Sequence, residues 1–322
     1  MKISIEKALA ILNQGGVIAI PTETVYGLAA DATNTKAINR IYEIKNRPSD
    51  NPLICHFHSF DQAKKHLNAY PNYVELLVNQ FTPGPVSFLL PLKLPSPLQV
   101  ATRGSSHVII RIPLHKLLLK LLKKLSFPLA APSANTSGKY SATNAEMVET
   151  DLGGKIDGVL DGGSSAIGLE STILDCRKSD EIKILRPGAI GKEDIEWCLR
   201  NENIKVIESL SIEQIIPGSK YKHYSPTTPI YQIQSIKEIP SNNDFAVIGI
   251  SEDLQNLSTN KNLQIISLGS ENNMPEVASL LYRKMFELDA MKVTTAYFIK
   301  RDFGNSTIGK AISNRIEHMI AR

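Results

Sequence analysis

The sequence predicts an α/β chain, with a mixed-direction sheet in its first two-thirds and a small parallel sheet at its end. Three observations carry this. Short apolar runs alternate with helical spacings over residues 1–208, without the regular strand–helix–strand spacing of an all-parallel sheet. After Leu210 a segment dense in proline and tyrosine interrupts both periodicities. A strand–strand–helix–strand–helix order follows, which suits parallel strands joined by crossover helices. For 322 residues, at about 100–200 per domain, two domains are expected: 1–208 and 230–322, joined by a linker over 209–229.

The elements follow from local spacing. Ile5, Ala8, Leu9 and Leu12 share one helical face, and Gly15-Gly16 stops that helix. An apolar run over 17–20 reads as a buried strand closed by Pro21. Helical patterns occupy 36–45 and 72–81, the second ended by Pro83-Gly84-Pro85. Strands are expected over 87–90, 108–112, 129–131, 158–160, 171–174 and 182–185, with His56 in a further one. Leu114, Leu117, Leu118, Leu121, Leu122 and Leu125 form a helical stripe, with Lys116, Lys120, Lys123 and Lys124 off it. A core helix with a solvated basic face accounts for this better than a membrane-surface helix. Beyond the linker, strands are expected over 245–250, 263–268 and 294–299, with helices over 275–290 and from Asn305.

The linker contains Pro217-Gly218-Ser219-Lys220-Tyr221-Lys222-His223-Tyr224-Ser225-Pro226 and then Pro229, so neither a helix nor a central strand can run through it. A plain spacer is one reading. Its tyrosines and basic residues are unusual for a spacer and suit a contact surface.

Composition excludes several classes. With 42% hydrophobic and 21% charged residues, disorder is ruled out for most of the chain. No apolar run approaches the ~18–20 residues that cross a bilayer. The opening Met1-Lys2-Ile3-Ser4-Ile5-Glu6 lacks the apolar core of a secretory signal. Cys55, Cys176 and Cys198 are odd in number and far apart, against a disulfide framework or a structural zinc site. A cytoplasmic protein with no membrane association is expected. The net charge of +4 is spread along the chain, which suits an anionic substrate in one pocket rather than a duplex-binding face.

Two motifs tempt and fail. Gly304-Asn305-Ser306-Thr307-Ile308-Gly309-Lys310-Ala311 nearly matches a phosphate loop, but Ala311 replaces the hydroxyl that would bind magnesium. A glycine-bearing turn opening the last helix is the better reading. His56 and His58 share a strand face, but no further ligand set accompanies them, so a metal site is not expected.

The richer signal is a group of polar residues just beyond predicted strands and one helix. Pro21-Thr22-Glu23-Thr24-Val25-Tyr26-Gly27 follows the first strand, and Lys45-Asn46-Arg47-Pro48-Ser49-Asp50-Asn51 ends a helix. Pro132-Ser133-Ala134-Asn135-Thr136-Ser137-Gly138 follows the 129–131 strand; Arg111 lies within one strand and Arg186 ends another. Sheet ends are where α/β proteins commonly build sites. Each piece alone has a dull reading: Lys45 and Arg47 as helix C-terminal charges, Ser133 and Asn135 as turn formers. Together they offer arginine and lysine for phosphate charge and hydroxyl or amide donors for orientation. No activated nucleophile triad or carboxylate pair is evident, so positioning and electrostatics are the expected catalytic means.

As a set, these motifs resemble the YrdC-like threonylcarbamoyl-AMP synthase family. The resemblance rests on Pro21-Thr22-Glu23-Thr24-Val25-Tyr26-Gly27-Leu28, Lys45 with Arg47, Pro132-Ser133-Ala134-Asn135, and Gly168-Leu169-Glu170-Ser171-Thr172. Arg186-Pro187-Gly188-Ala189-Ile190 and the Lys220-Tyr221-Lys222-His223-Tyr224-Ser225-Pro226 linker are similar to its two-domain form. Thr82, where the family often has an aromatic residue, and Ala142, where it often has proline, depart from the pattern.

The resemblance implies a twisted mixed sheet with a large positive cavity, followed by a small Rossmann-like domain. It implies a nucleotidyltransferase that makes L-threonylcarbamoyladenylate from L-threonine, bicarbonate or CO2, and ATP, releasing pyrophosphate. Magnesium would arrive on the ATP phosphates, with no ligand from the protein. A downstream transferase complex would place the threonylcarbamoyl group on adenosine 37 of tRNAs reading ANN codons, with weak direct tRNA contact left open. Thr22, Tyr26, His56, Arg111 and Ser171, with Thr172 as the alternative to Ser171, would surround threonine. Arg47, Asn51, His107, Ser133, Asn135, Thr143 and Arg186 would contact ATP. Lys45 and Arg47 would be catalytic, and Tyr224 of the linker would cover the nucleotide as a lid. A non-catalytic RNA-binding module is the rival reading. A carbamoyl-transferring relative from hydrogenase maturation is disfavoured for want of extra domains and zinc-binding cysteines.

Overall fold

A computed structural model describes residues 1–208, 224–238, 244–255, 257 and 263–320. Most of the expected linker, including Lys220 and His223, therefore lies outside the described residues.

The chain opens with α1 (Ile5–Asn13), whose first turn is capped by the Ser4 hydroxyl. Strands β1 (Ile18–Ile20) and β2 (Gly27–Asp31) then flank the Thr22 loop. Helix α2 (Thr35–Lys45) ends where Asn46 turns left-handed at φ +49°, just before Pro48. There follow β3 (Ile54–His56), α3 (Phe60–Lys64), α4 (Tyr73–Phe81), β4 (Val86–Pro91) and β5 (His107–Arg111). Next come α5 (Lys116–Leu122), β6 (Leu129–Ala130), α6 (Ala145–Leu152), β7 (Thr172–Asp175) and β8 (Glu181–Arg186). Helix α7 (Lys192–Cys198) and β9 (Lys205–Glu208) complete this part.

The nine strands form one sheet in the order β1-β2-β6-β3-β5-β4-β7-β8-β9. Its pairings are both parallel, as in β3–β5 and β4–β7, and antiparallel, as in β4–β5 and β7–β8. Three expectations change here, one being β9, an edge strand that the sequence did not predict. The segment over 158–160 is no strand; Val159 makes isolated bridges to Lys2 and Ala19, because glycines crowd it on both sides. Strand β2, by contrast, was not predicted, since Leu28-Ala29-Ala30 has weak β propensity; pairing with β1 and β6 imposes it. The leucine stripe behaves as expected: Leu118, Leu121, Leu122 and Leu125 pack with α1 and β1 in a core, while Leu114 is exposed.

The period of two along each strand separates the sheet's faces. Cys55, Phe88, Ile110 and Leu174 point into the main helix-covered core. Ile54, Leu89, Ile109 and Ile173 form a small cluster on the other face. His56, Ser87 and Arg111 continue that second face, and the register aligns them: His56 pairs with Arg111, which pairs with Ser87.

The second unit has β10 (Ile230–Ile233), β11 (Phe245–Gly249), α8 (Ser251–Leu254), β12 (Gln264–Ser267), α9 (Met274–Met291), β13 (Thr295–Ile299) and α10 (Thr307–Met319). Its order is β10-β13-β11-β12 and every pairing is parallel. β10 adds an edge strand that the alternating Ile230-Tyr231-Gln232-Ile233 concealed after so much proline. The near phosphate loop is a turn into α10, where the Ser306 hydroxyl caps Gly309 and Lys310 pairs with Glu208. The apolar core is continuous across the two units: Ala278, Leu281, Ile312 and Ile316 belong to the same cluster as Leu169 and Tyr224.

Candidate active site

The polar face of the large sheet is the floor of a cleft. Ile54, His56 and Arg111 supply the floor, and Thr22, Val25, Tyr26 and Gly27 one wall. Ala131, Pro132 and Ser133 follow β6; Arg47 follows α2; Glu170 precedes β7; Arg186 ends β8; and Tyr224 closes the ring. Arg47, Arg111 and Arg186 converge with Glu170 as the acid among the lining residues.

Each arginine is held by the backbone or by neighbours. Arg47 donates to the Asn51 and Pro52 carbonyls, both at 3.3 Å. Arg111 donates from Nη2 to the Thr24 hydroxyl at 2.8 Å and lies 2.9 Å from the Glu23 carboxylate. Arg186 donates from Nε to the Ser171 carbonyl at 3.0 Å and from Nη2 to its hydroxyl at 3.2 Å. Burial lowers the pKa of Arg47 and of Arg186, so an anion entering the cleft meets guanidiniums already stripped of much of their water.

His56 is buried, and desolvation with the charge of Arg111 pushes its pKa down to about 3. Its Nδ1 faces the Ile54 carbonyl at 3.3 Å. The tautomer that donates there leaves Nε2 as an acceptor. The Thr22 hydroxyl donates to the Val25 carbonyl at 2.6 Å and accepts from the Thr24 and Val25 amides, an ST turn that shapes the wall. Tyr26 sends its hydroxyl to the Gly163 carbonyl at 2.8 Å, and burial raises its pKa.

Thr22, Tyr26, Arg47, His56, Arg111, Ser133, Arg186 and Tyr224 thus meet at one cleft, while seven other named residues are not among its lining. Lys45 is buried, donating from Nζ to the Ser133 carbonyl at 2.6 Å and to the Asn135 carbonyl. Burial and then the Arg47 charge push its pKa well below the usual lysine value. Asn51 offers its carbonyl to Arg47 and to the Tyr42 hydroxyl. Asn135 donates to the Thr136 and Lys139 carbonyls, holding its loop. Ser171 is fully buried, bonded to Ser87 and Arg186, and Thr172 is spent on the Ile190 carbonyl. Thr143 turns its hydroxyl to the Met147 sulfur, and His107, half-buried at the start of β5, contacts Ser106.

The motif reading missed Glu170 as a wall residue. Burial opposes its charge, but Arg315 and Arg186 hold its carboxyl below the usual range. The signal was present, since Glu170 sits inside the Gly168–Thr172 motif; its partner Arg315, 145 residues away, carried none.

A family model described as "Telomere recombination" matches residues 10–188, and one described as "Threonylcarbamoyl-AMP synthase, C-terminal domain" matches 190–318. The chain belongs to the two-domain threonylcarbamoyl-AMP synthase family. It is 38% identical to the Bacillus subtilis threonylcarbamoyl-AMP synthase over 321 residues, 97% of this chain and 91% of that protein. Identity to the Pyrococcus abyssi synthase is 40% over 233 residues, 72% of this chain and 68% of that one. Among solved structures, P. abyssi Sua5 complexed with L-threonine matches at a TM-score of 0.84 and 32% identity, covering 99% of this chain and 95% of that family member. Escherichia coli YciO matches at a TM-score of 0.53 and 21% identity over 59% of this chain and 92% of its own, which shares the fold. No helix among the described residues is long and apolar enough to cross a membrane.

Proposed function

We propose that the chain synthesises L-threonylcarbamoyladenylate from L-threonine, bicarbonate-derived CO2 and ATP, releasing pyrophosphate. The observation that carries this is the convergence of Arg47, Arg111 and Arg186 on one cleft, in a chain that aligns over 97% of its length with a threonylcarbamoyl-AMP synthase.

Two anions must meet in this reaction. In this proposal Arg111 takes the threonine carboxylate, and His56 Nε2 and the Thr22–Val25 wall receive its amine and side chain. Bicarbonate takes up a proton and loses water to give CO2; the neutral amine attacks its carbon, and the proton that the nitrogen then loses to water replaces the one consumed, leaving a carbamate. A carbamate oxygen then attacks the α-phosphorus of ATP, and the bond to the β-phosphate oxygen breaks, so pyrophosphate leaves. One favourable unit-charge contact at ~4 Å and an effective dielectric of ~20 amounts to roughly 4 kcal/mol before desolvation. Arg47 and Arg186, facing the phosphates with Ser133, supply contacts of that kind without reorganising in the reaction. Lys45 acts from behind, through the Ser133 and Asn135 carbonyls. Tyr224 covers the nucleotide and limits access of water to the labile product.

Magnesium enters as part of the substrate. The described residues hold no cluster of three His, Cys, Asp or Glu side chains that would ligate a metal, and the cleft's lining is cationic. Phosphate oxygens and water suit magnesium well. The product serves a cytoplasmic tRNA threonylcarbamoyl transferase complex that modifies adenosine 37.

The test is pyrophosphate release by the purified chain, expected when threonine, bicarbonate and MgATP are all present and absent when any one is withheld. RNA binding without such turnover would overturn the proposal.

A further inference from the structure

The second unit reaches the cleft wall through Arg315 and Tyr282, which both bind Glu170. Arg315, on α10, is fully buried and donates from Nε to Glu170 at 2.8 Å and from Nη2 to the Pro187 carbonyl at 3.0 Å. Pro187 directly follows Arg186. The same guanidinium lies 5.3 Å from the centre of the Tyr224 ring. Tyr282, on α9, donates to the Glu170 carboxylate at 3.1 Å and stacks on Tyr224 at 5.7 Å between centroids. Tyr224 itself holds φ +65°, a conformation that a tyrosine adopts only when its surroundings impose it.

Two glycines show how closely this unit is seated. A Cβ on Gly168 would stand 2.5 Å from the Ser279 Cα of α9, and one on Gly191 would stand 2.0 Å from the Thr307 hydroxyl of α10. These positions bracket the Glu170 and Arg186–Pro187 segments. The approach is close on both sides of the wall that Arg315 grips.

From this geometry we infer that Arg315 is a positioning residue for the nucleotide half of the cleft, acting through Glu170, the Arg186–Pro187 turn and Tyr224. The second unit is thus a working part of the active-site wall. A lone carboxylate at Glu170 would neutralise the cations that must meet the phosphates; bound to Arg315 and Tyr282, it is turned into a fixed strut beside Arg186. Thr22, His56 and Arg111, which build the threonine half, make no hydrogen bond or ion pair with Arg315. The inference rests on the assignment of Arg186 and Tyr224 to ATP made above.

The test uses the full chain with Arg315→Met, Arg315→Lys, Glu170→Gln and the Arg315→Met/Glu170→Gln pair. Threonine affinity is read by calorimetry, and the ATP dependence by pyrophosphate release. Arg315→Met is expected to lower kcat/KM for ATP at least tenfold while threonine Kd stays within twofold. The double variant is expected to fall no further than the worse single one, because the two residues act as a unit. A wild-type ATP dependence in Arg315→Met, an equal loss of threonine affinity, or additive losses in the pair would each overturn the inference. Should Arg315→Met not fold, Arg315→Lys decides. It keeps a cation but lacks the planar fork that sends Nε to Glu170 and Nη2 to Pro187, so at least a threefold ATP-specific loss is expected and wild-type behaviour refutes. A wild-type chain that releases no pyrophosphate would instead sink the proposed function.

Discussion

The Lys45 ammonium donates to the Ser133 carbonyl at 2.6 Å, and the Lys45 carbonyl in turn accepts the Ser137 amide at 2.7 Å. The end of α2 and the loop after β6 are thereby tied in both directions, which fixes Ser133 in the cleft and sets the exit of the chain toward Arg47.

This arrangement separates two substitutions that the sequence alone treats alike. Lys45→Met keeps most of the volume but leaves the Ser133 and Asn135 carbonyls without their donor. Stability should fall by about 2–6 kcal/mol, since each of the two buried groups left unpaired costs about 1–3 kcal/mol. Pyrophosphate release should be abolished with it. Arg47→Ala should abolish release with a smaller shift of the urea midpoint, because the Asn51 carbonyl that it leaves still accepts the Tyr42 hydroxyl. Urea unfolding and a pyrophosphate assay on both variants check this; an unchanged urea midpoint in Lys45→Met would contradict the strut.

His56 makes stability depend on pH. Its folded pKa is near 3, below the ~6.5 of an unfolded histidine, so the unfolded chain binds the extra proton between those values. The contribution is therefore complete above pH 6.5 and is lost as pH falls toward 3. Its limiting slope is about 1.4 kcal/mol per pH unit. His56→Gln should flatten the wild-type loss between pH 6 and pH 4 by about that slope, measured by urea unfolding at each pH; parallel curves would show that His56 is not buried neutral.

Much of the fold was legible because its signals are local. The Ile5–Leu12 spacing, the Leu114–Leu125 stripe and the apolar strands declare themselves within a dozen residues. β2 did not, because Leu28-Ala29-Ala30 becomes a strand through its neighbours β1 and β6. At the site, Arg47 and Arg186 were visible as charge placed at element ends, and Arg111 as a charge within an apolar strand. The roles of Ser171 and Asn51 were not, since the motif does not say that one supports Arg186 and the other Arg47. Arg315 was invisible for a plainer reason: nothing near residue 315 marks a residue that meets Glu170 across the interface.

Arg111 tests the threonine half. Its Nη2 meets both the Thr24 hydroxyl and the Glu23 carboxylate, and it shares a rung of the sheet with His56. Arg111→Lys keeps the charge but offers no planar pair of donors to a carboxylate. Threonine Kd should rise at least tenfold, about 1.4 kcal/mol or more, with ATP KM altered far less. Calorimetric titration with threonine decides it, and unchanged affinity would move the carboxylate elsewhere in the cleft.

Gly168 and Gly104 provide a matched pair for the interface. Both hold left-handed backbone, at φ +79° and +80°, yet a Cβ at Gly104 would meet nothing within 4 Å, while one at Gly168 would strike the backbone of α9. Alanine at either position incurs the left-handed cost of about 1–2 kcal/mol. Gly168→Ala alone adds overpacking, typically about 1–3 kcal/mol, because a helix backbone cannot rotate aside as a side chain can. The two variants should therefore differ in unfolding free energy by about that second amount. Gly168 lies two residues before Glu170, so displacing α9 there also shifts Tyr282 away from the carboxylate it holds. The ATP dependence of pyrophosphate release should weaken in Gly168→Ala and not in Gly104→Ala. Equal stability loss in both would mean that α9 yields freely, and the second unit would then be a passenger on the cleft.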